Sequence, residues 1–135
     1  MCLMVNTDPE IRISKEDIVC YKVMEKRDKT LISPYRNMRY ECGTAYVSET
    51  PITVKHGLLG AYIEEGFHSA SNEQEAEHLK LALQTFATLL NFDTQYVVVK
   101  CLIPTGTRYA VGVFTDFGID FGSFCSERMI AVEEV

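Results

Sequence analysis

The sequence predicts a single α+β domain, 1–135, in which a mostly antiparallel, twisted sheet is covered on one face by one long helix. One stretch has apolar residues at helical spacing, and two runs rich in β-branched residues follow it. The other apolar segments are short and are separated by turn residues. At 135 residues the chain has the length of one domain, and no internal repeat or low-complexity tract divides it.

Outside the helix and the two β-rich runs, the sequence predicts an irregular start and several short strands. The first strand is predicted where Ile18, Val19 and Val23 accompany Tyr21. The charged residues that follow it indicate a loop. In chain order, the predicted segments are an irregular N-terminal arm over 1–10, a strand over 18–24, a loop over 25–29, short strands over 44–47 and 52–55, and a final strand over 128–132.

The helix is predicted over residues 71–92, because apolar residues recur there in steps of three and four and form one stripe. Ser71 or Asn72 can cap the first turn, and the glutamates near this end suit the positive pole of the helix dipole. The stripe requires a sheet to cover it. Its members are Ala76, Leu79, Leu83, Phe86, Ala87 and Leu90.

A β-hairpin is predicted after the helix. Residues 96–103 and 107–114 read as strands, and Pro104-Thr105-Gly106 between them is typical of a tight turn. Val97, Val99, Cys101 and Ile103 share one face of the first strand, which we expect to lie under the helix. The opposite face is also largely apolar, so we expect another layer, a protein partner or a second copy of the chain to cover it.

Charge and cysteine content restrict the classes of function. The formal net charge is -6, with nine basic and ten acidic residues over 1–67 but four and nine over 68–135. This acidity argues against non-specific nucleic-acid binding. The five cysteines form no close-spaced pair. No signal sequence and no stretch of membrane-spanning length is evident, so we expect a reduced, cytoplasmic setting without a membrane partner.

The most chemically suggestive loop covers residues 33–43. Over residues 22–39, six basic residues stand against two acidic ones, in a chain that is acidic overall. Arginine holds carboxylates and phosphates through paired hydrogen bonds, and tyrosine adds stacking and a hydroxyl group. Tyr35, Arg36, Arg39 and Tyr40 are therefore candidates for binding a small anion. Alternatively, the arginines pair with the acidic second half and the tyrosines anchor the loop.

Tyr21 in the first strand and His68 and Ser69 before the helix complete the candidate ligand-binding residues. An imidazole at a helix start can act as a base or polarise a bound group, and helix amides favour anions. Alternatively, His68 is a structural residue that forms hydrogen bonds in the core. Cysteine and histidine spacing indicates no metal site, and no nucleotide-binding glycine motif is present, so no cofactor is predicted.

Several motifs are spread over most of the chain: Tyr21-Lys22-Val23, Ser33-Pro34-Tyr35 with Tyr40 and Gly43, Gly66-Phe67-His68-Ser69, Ile103-Pro104-Thr105-Gly106-Thr107 with Tyr109, and Ser126-Glu127. Together they resemble small uncharacterised proteins of gut Bacteroides-type bacteria and their phages. The resemblance implies a shared fold but no known activity. On this basis we expect a small intracellular binding or interaction module of unknown ligand, encoded by such a bacterium or phage.

The order of elements is also similar to that of compact ADP-ribosyltransferase domains. In both, a strand with an aromatic-basic pair is followed by a strand with His or Ser, a helix and a hairpin. This likeness implies an enzyme or NAD-binding domain that uses the segment 66–69 and the basic loop 35–40. The residues implied are Tyr21, Lys22, His68, Ser69 and Tyr109 around the dinucleotide, with Glu127 as the carboxylate. The chain lacks the paired-glutamate and histidine-tyrosine-glutamate signatures of those enzymes.

Overall fold

In the computed structural model, residues 3–5 and 10–135 are described, and their strands join into one 13-stranded antiparallel sheet. One α-helix within these residues packs on a face of that sheet. The predicted α+β fold class is therefore confirmed. The elements are β1 (Leu3–Met4), β2 (Arg12–Ile13), β3 (Ile18–Arg27), β4 (Thr30–Ile32), β5 (Arg39–Tyr40), β6 (Ala45–Val47), β7 (Lys55–Gly57), β8 (Gly60–Ile63), β9 (Phe67–Ala70), α1 (Glu73–Leu89), β10 (Gln95–Ile103), β11 (Arg108–Asp116), β12 (Ile119–Ser126) and β13 (Arg128–Glu134).

The sheet has the strand order β6-β13-β10-β3-β9-β12-β11-β1-β8-β7, and β2, β4 and β5 pair along its sides. Its longest pairing joins β3 and β10, from Lys26 opposite Gln95 to Ile18 opposite Ile103. By contrast, β3 pairs with β9 only where Tyr21 lies opposite Ala70. The two strands separate beyond this pair, and the sheet is open at that point.

The helix follows its prediction closely but is shorter. Asn72 is the N-cap, and its Oδ1 accepts a hydrogen bond of 2.9 Å from the Glu75 amide. The buried stripe is narrower than expected, because Phe86 and Leu90 are 49% and 47% exposed. The helix core, as we call the residues packed between α1 and the sheet, consists of Val23, Ala70, Ala76, Leu79, Leu83, Val98, Phe114 and Phe121.

The predicted hairpin is wrong, because β10 and β11 do not pair with each other. β10 lies between β3 and β13, whereas β11 lies between β12 and β1. Ser14 holds the connecting loop: its Oγ donates to the Pro104 carbonyl at 2.6 Å and accepts from the Thr107 amide at 2.9 Å. The Gly106 amide also donates to the Ser14 carbonyl at 2.8 Å. These bonds satisfy the loop without cross-strand pairing.

The assignment of faces to β10 is also reversed. Val98 packs under the helix, so the helix is the layer that covers the face for which another layer, a partner or a second copy was expected. Val97, Val99, Cys101 and Ile103 point to the other side of the sheet and belong to a second core. This second core consists of Cys20, Met24, Leu31, Tyr40, Phe67, Val97, Val99, Cys101, Ile103, Met129 and Ala131.

Other element boundaries differ from their predictions in several places. Within the predicted irregular arm, Leu3–Met4 is a strand that pairs with β8 and β11, and residues 1–2 and 6–9 lie outside the described residues. β3 continues through residues expected to form a charged loop. The aromatic segment after Phe114 forms a β11–β12 hairpin, whose turn residues Phe117 and Gly118 have φ of 53° and 72°.

In the part of the chain described, no helix is long and apolar enough to cross a membrane.

Candidate functional site

A cavity of about 440 Å³ lies next to the point where β3 and β9 separate. Four segments that are distant in sequence form its wall: β3, the loop between β4 and β5, the chain after β6, and the turn from β8 into β9. The lining residues are Lys22, Ser33, Arg36, Met38, Tyr40, Val47, Ser48, Glu49, Thr50, Glu64, Glu65, Gly66, Phe67 and His68.

Lys22 is the buried cation of this cavity. Strand alternation places it between Cys20 and Met24 on the face of the second core, and it is only 7% exposed. Its Nζ donates a hydrogen bond of 2.6 Å to the His68 carbonyl oxygen and lies 5.9 Å from the centroid of the Tyr40 ring. Among the described residues, no ion pair includes Lys22. Burial lowers the pKa of Lys22 to about 8.

Arg36 and His68 meet at the carbonyl oxygen of Glu64. The exposed Arg36 donates to this oxygen through Nη2, and His68 Nε2 lies 3.3 Å from it. This contact assigns the proton to Nε2 and leaves Nδ1, which has no hydrogen-bond partner among the described residues, as an acceptor. Burial, with the positive charges of Lys22 and Arg36, lowers the pKa of His68 to about 3. The imidazole is therefore neutral at neutral pH.

Cys125 lies opposite His68 in the β9–β12 pairing, with Sγ 3.7 Å from Nε2. Sequence spacing did not indicate this pair. The thiol donates to the Glu65 carbonyl at 2.8 Å, and burial raises the pKa of Cys125 to about 12. A reactive cysteine requires a thiolate, usually stabilised by a nearby cation. With a neutral imidazole beside a protonated thiol, Cys125 and His68 do not form an activated nucleophile.

Three carboxylates line the cavity, and two of them are engaged elsewhere. Glu65 accepts a hydrogen bond from Lys55, which lowers the pKa of Glu65 to about 2. Glu64 lies 3.5 Å from the same ammonium group. Glu49 is exposed and forms no ion pair with any residue that the structure describes. Among the described residues, no carboxylate is ion-paired with Lys22 or Arg36, and Glu49 is a third unpaired charge in the same wall, of opposite sign.

The structure brings together three of the residues that the sequence indicated: Arg36, Tyr40 and His68. Burial raises the pKa of Tyr40, so its phenol stays protonated at neutral pH. Arg39 is exposed and pairs with Ile32 between β4 and β5. It lines neither this cavity nor the adjoining one.

Tyr21, Tyr35 and Ser69 line a smaller adjoining cavity of about 40 Å³, which shares Lys22 and His68 with the larger one. The Tyr35 hydroxyl donates to Asp116 Oδ2 at 2.5 Å. Its ring packs edge-on against Phe114 with 5.3 Å between centroids. Tyr35 therefore anchors the loop between β4 and β5 to β11, as the alternative interpretation of this tyrosine expected.

Glu127 and Tyr109, which the ADP-ribosyltransferase likeness implied, lie outside the cavity that contains His68. The Glu127 carboxylate accepts hydrogen bonds from Arg108 at 3.1 Å and from the Ile52 amide at 3.0 Å. Tyr109 packs edge-on against Phe124, with 6.2 Å between ring centroids. Both side chains are therefore used in packing and hydrogen bonding away from this cavity.

Reasoning from residue type did not assign Lys22 to a site, and only the ADP-ribosyltransferase likeness named it. The segments 47–50 and 64–65, which also line this cavity, were not indicated at all. For Lys22 a signal was present. A lysine between Cys20 and Met24 interrupts an alternating apolar face, and a charged residue at a core-facing position indicates either a partner or a site. The two segments carry no comparable signal, because the fold alone brings them to the cavity.

The side chains that line the cavity are the evidence for its chemistry, because neither a metal cluster among the described residues nor a known relative points to a function. Among the residues that the structure describes, no group of three or more His, Cys, Asp or Glu is arranged to hold a metal ion. Comparisons with protein-family models, with curated proteins and with solved structures find no match to this chain.

Proposed function

We propose that this chain is a small binding module whose cavity holds the carboxylate or phosphate group of a small ligand. The main support is the buried ammonium group of Lys22, which donates one hydrogen bond to a carbonyl and has no carboxylate partner among the described residues. A buried charge without a counterion costs several kcal/mol. A ligand anion in the same cavity would offset that cost.

The other lining groups are consistent with such a ligand. The Arg36 guanidinium is exposed and donates one hydrogen bond to a carbonyl, so further N–H groups remain for paired bonds to a carboxylate or phosphate. The Tyr40 ring lies beside the Lys22 ammonium. A volume of about 440 Å³ is within the range of small-molecule sites. The cavity thus combines two cations, an aromatic wall and adequate space.

Protonation favours binding over acid-base catalysis at this site. A general acid or base works best when its pKa is near the pH of the reaction. The pKa of His68 is lowered to about 3, and that of Cys125 is raised to about 12. Neither group exchanges a proton readily near neutral pH. The proposed role of the cavity is therefore to bind a ligand and not to catalyse its acid-base chemistry.

The test is a thermal-shift titration with inorganic phosphate, acetate, succinate and NAD on the wild type and two variants. A ligand at ten times its Kd stabilises the folded state by about 1.4 kcal/mol, which raises Tm by about 5 °C. We expect such a shift with at least one of the small anions, and we expect Arg36→Ala to abolish it. Arg39→Ala is the matched control, because this arginine lines neither cavity, and it should retain the shift.

The outcomes separate the possibilities. If Arg36→Ala and Arg39→Ala lose the thermal shift equally, the anion binds to general surface charge. This result would contradict the proposed site. No shift with any anion would also contradict it. Stabilisation by NAD alone, lost in Arg36→Ala, would instead support the ADP-ribosyltransferase-like alternative.

A further inference from the structure

Lys22 places a primary amine in the wall of the cavity, between two other lining residues. Its Nζ bonds to the His68 carbonyl at 2.6 Å and faces the Tyr40 ring at 5.9 Å from the centroid. No ion pair with a described residue holds it in the charged form. A surface lysine that only adds charge has none of these features. Lys22 is therefore an amine that is enclosed in the wall of the cavity.

The surroundings of this amine make its neutral form more accessible than that of an ordinary lysine, although the ammonium still predominates at neutral pH. Burial disfavours the ammonium, and the nearby Arg36 charge acts in the same direction. With a pKa of about 8, about half of the Lys22 side chains are neutral at pH 8. A neutral amine keeps an N–H for the His68 carbonyl, and its lone pair becomes available. Desolvation beside another cation is a known way to make a lysine nucleophilic.

We infer that Lys22 forms an imine with a small 2-oxo acid whose carboxylate is bound by Arg36. This inference deepens the proposed function and depends on it, since the same cavity and the same arginine hold the anion. In a 2-oxo acid the carbonyl carbon is bonded directly to the carboxylate carbon. Arg36 and Lys22 line the same cavity, so a carboxylate bound by Arg36 holds the adjacent carbonyl in the space that the Lys22 amine borders. Holding two reacting groups in one site accelerates their reaction.

The bond changes balance without any further reactant. The Lys22 nitrogen lone pair adds to the carbonyl carbon, a C–N bond forms, and the π electrons of the C=O bond move to oxygen. After proton transfer the product is a neutral carbinolamine. The two hydrogens of the amine then leave with the carbonyl oxygen as one water molecule, and a C=N bond remains. Nothing is oxidised or reduced.

The test is reductive trapping with pyruvate and cyanoborohydride at pH 8, followed by proteolysis and mass spectrometry that assigns the adduct to a lysine. We expect Lys22 to be labelled at least about ten times faster than Lys26, which lies in the same strand and is held by Glu134 at 2.9 Å. Arg36→Ala should slow the labelling of Lys22 about tenfold, and Arg39→Ala should leave it unchanged. Lys26 provides an internal control within each folded sample, so the test does not depend on a Lys22 variant that folds.

Lactate separates the failure of this inference from the failure of the proposed function. It keeps the carboxylate of pyruvate but has a hydroxyl in place of the carbonyl, so it can bind without forming an imine. Thermal stabilisation by pyruvate and lactate that requires Arg36, without a trapped Lys22 adduct, would overturn the imine and leave the anion site intact. Labelling of Lys22 no faster than Lys26 would likewise overturn it. Absence of both stabilisation and labelling would overturn both proposals.

Discussion

Lys22 occupies a position in β3 whose neighbours on the same face, Cys20 and Met24, are completely buried. An apolar side chain there would pack without an electrostatic cost, whereas an ammonium group must be desolvated. The pKa of Lys22 is lowered because burial makes the charged form less favourable. The chain therefore gives up folding free energy at this residue, as proteins commonly do where a side chain serves a ligand.

His68 should make the protein sensitive to acid. Its pKa is about 3 in the folded state and about 6.5 when unfolded. Below pH 6.5 the unfolded chain binds a proton that the folded chain does not, so stability falls as the pH falls from 6.5 to 3. We expect His68 to contribute about 4 kcal/mol to this loss. Urea denaturation between pH 7 and 3.5 measures it as the difference between the wild type and His68→Gln.

His78→Gln is the control for this measurement, because His78 is exposed on α1 and its removal affects no buried group. Carboxylates such as Glu65 titrate in the same range and lower stability in all three proteins alike. If His68→Gln shows the same loss of stability as the wild type, the folded imidazole takes up its proton normally, and the explanation by burial is wrong.

At the scale of elements, the turn from β8 into β9 depends on Gly66. Its φ is +84°, and an added Cβ would lie 2.7 Å from Ile52 Cγ2 and 2.8 Å from the Ser126 carbonyl oxygen. Gly43 has a similar φ of +87° but nothing within 4 Å. Gly43→Ala should therefore cost only the backbone strain of about 1 kcal/mol, and Gly66→Ala about 3 kcal/mol through added overpacking.

Urea denaturation of both glycine variants checks this prediction, with the two midpoints compared at equal slope. Equal destabilisation would mean that the surroundings of Gly66 give way without cost. Because Gly66 also lines the cavity, the thermal shift with phosphate should be reduced in Gly66→Ala and retained in Gly43→Ala.

Periodicity predicted the helix well, since its cap and buried stripe are local features of the sequence. The pairing of β10 and β11 could not be predicted in the same way. Two β-rich runs joined by Pro-Thr-Gly are typical of a hairpin, but Ser14 and Asp17 come from the far end of the chain to bind this loop. Both faces of β10 are apolar, so alternation alone did not decide which face the helix covers.

The candidate site could be predicted only in part for the same reason. Arg36, Tyr40 and His68 were indicated by residue type, because guanidinium, phenol and imidazole groups suit anion binding. Arg36 and His68 share the Glu64 carbonyl because the loop between β4 and β5 reaches the turn from β8 into β9. No local pattern records this contact.

At the scale of the whole molecule, pairings between distant residues dominate the fold. In the β3–β10 pairing, Gln95 lies opposite Lys26 and Ile103 opposite Ile18, so the partners are 69 to 85 residues apart. Sheets of this kind fold slowly, because the chain must lose loop entropy before the contacts form. We expect refolding on the order of milliseconds to seconds in stopped-flow experiments. Refolding in microseconds would show that local structure controls the rate.

The same separation has a consequence during synthesis. A ribosome releases β3 and its neighbour β4 well before it has made β10, so in the growing chain the edge of β3 that later meets β10 stays unpaired for that time. Unpaired strands are sites of aggregation, and charged side chains reduce that hazard. The strand carries Lys22, Glu25, Lys26 and Arg27. The lysine that burial penalises in the finished protein is thus fully hydrated in the nascent chain, where its charge helps to keep the strand dispersed.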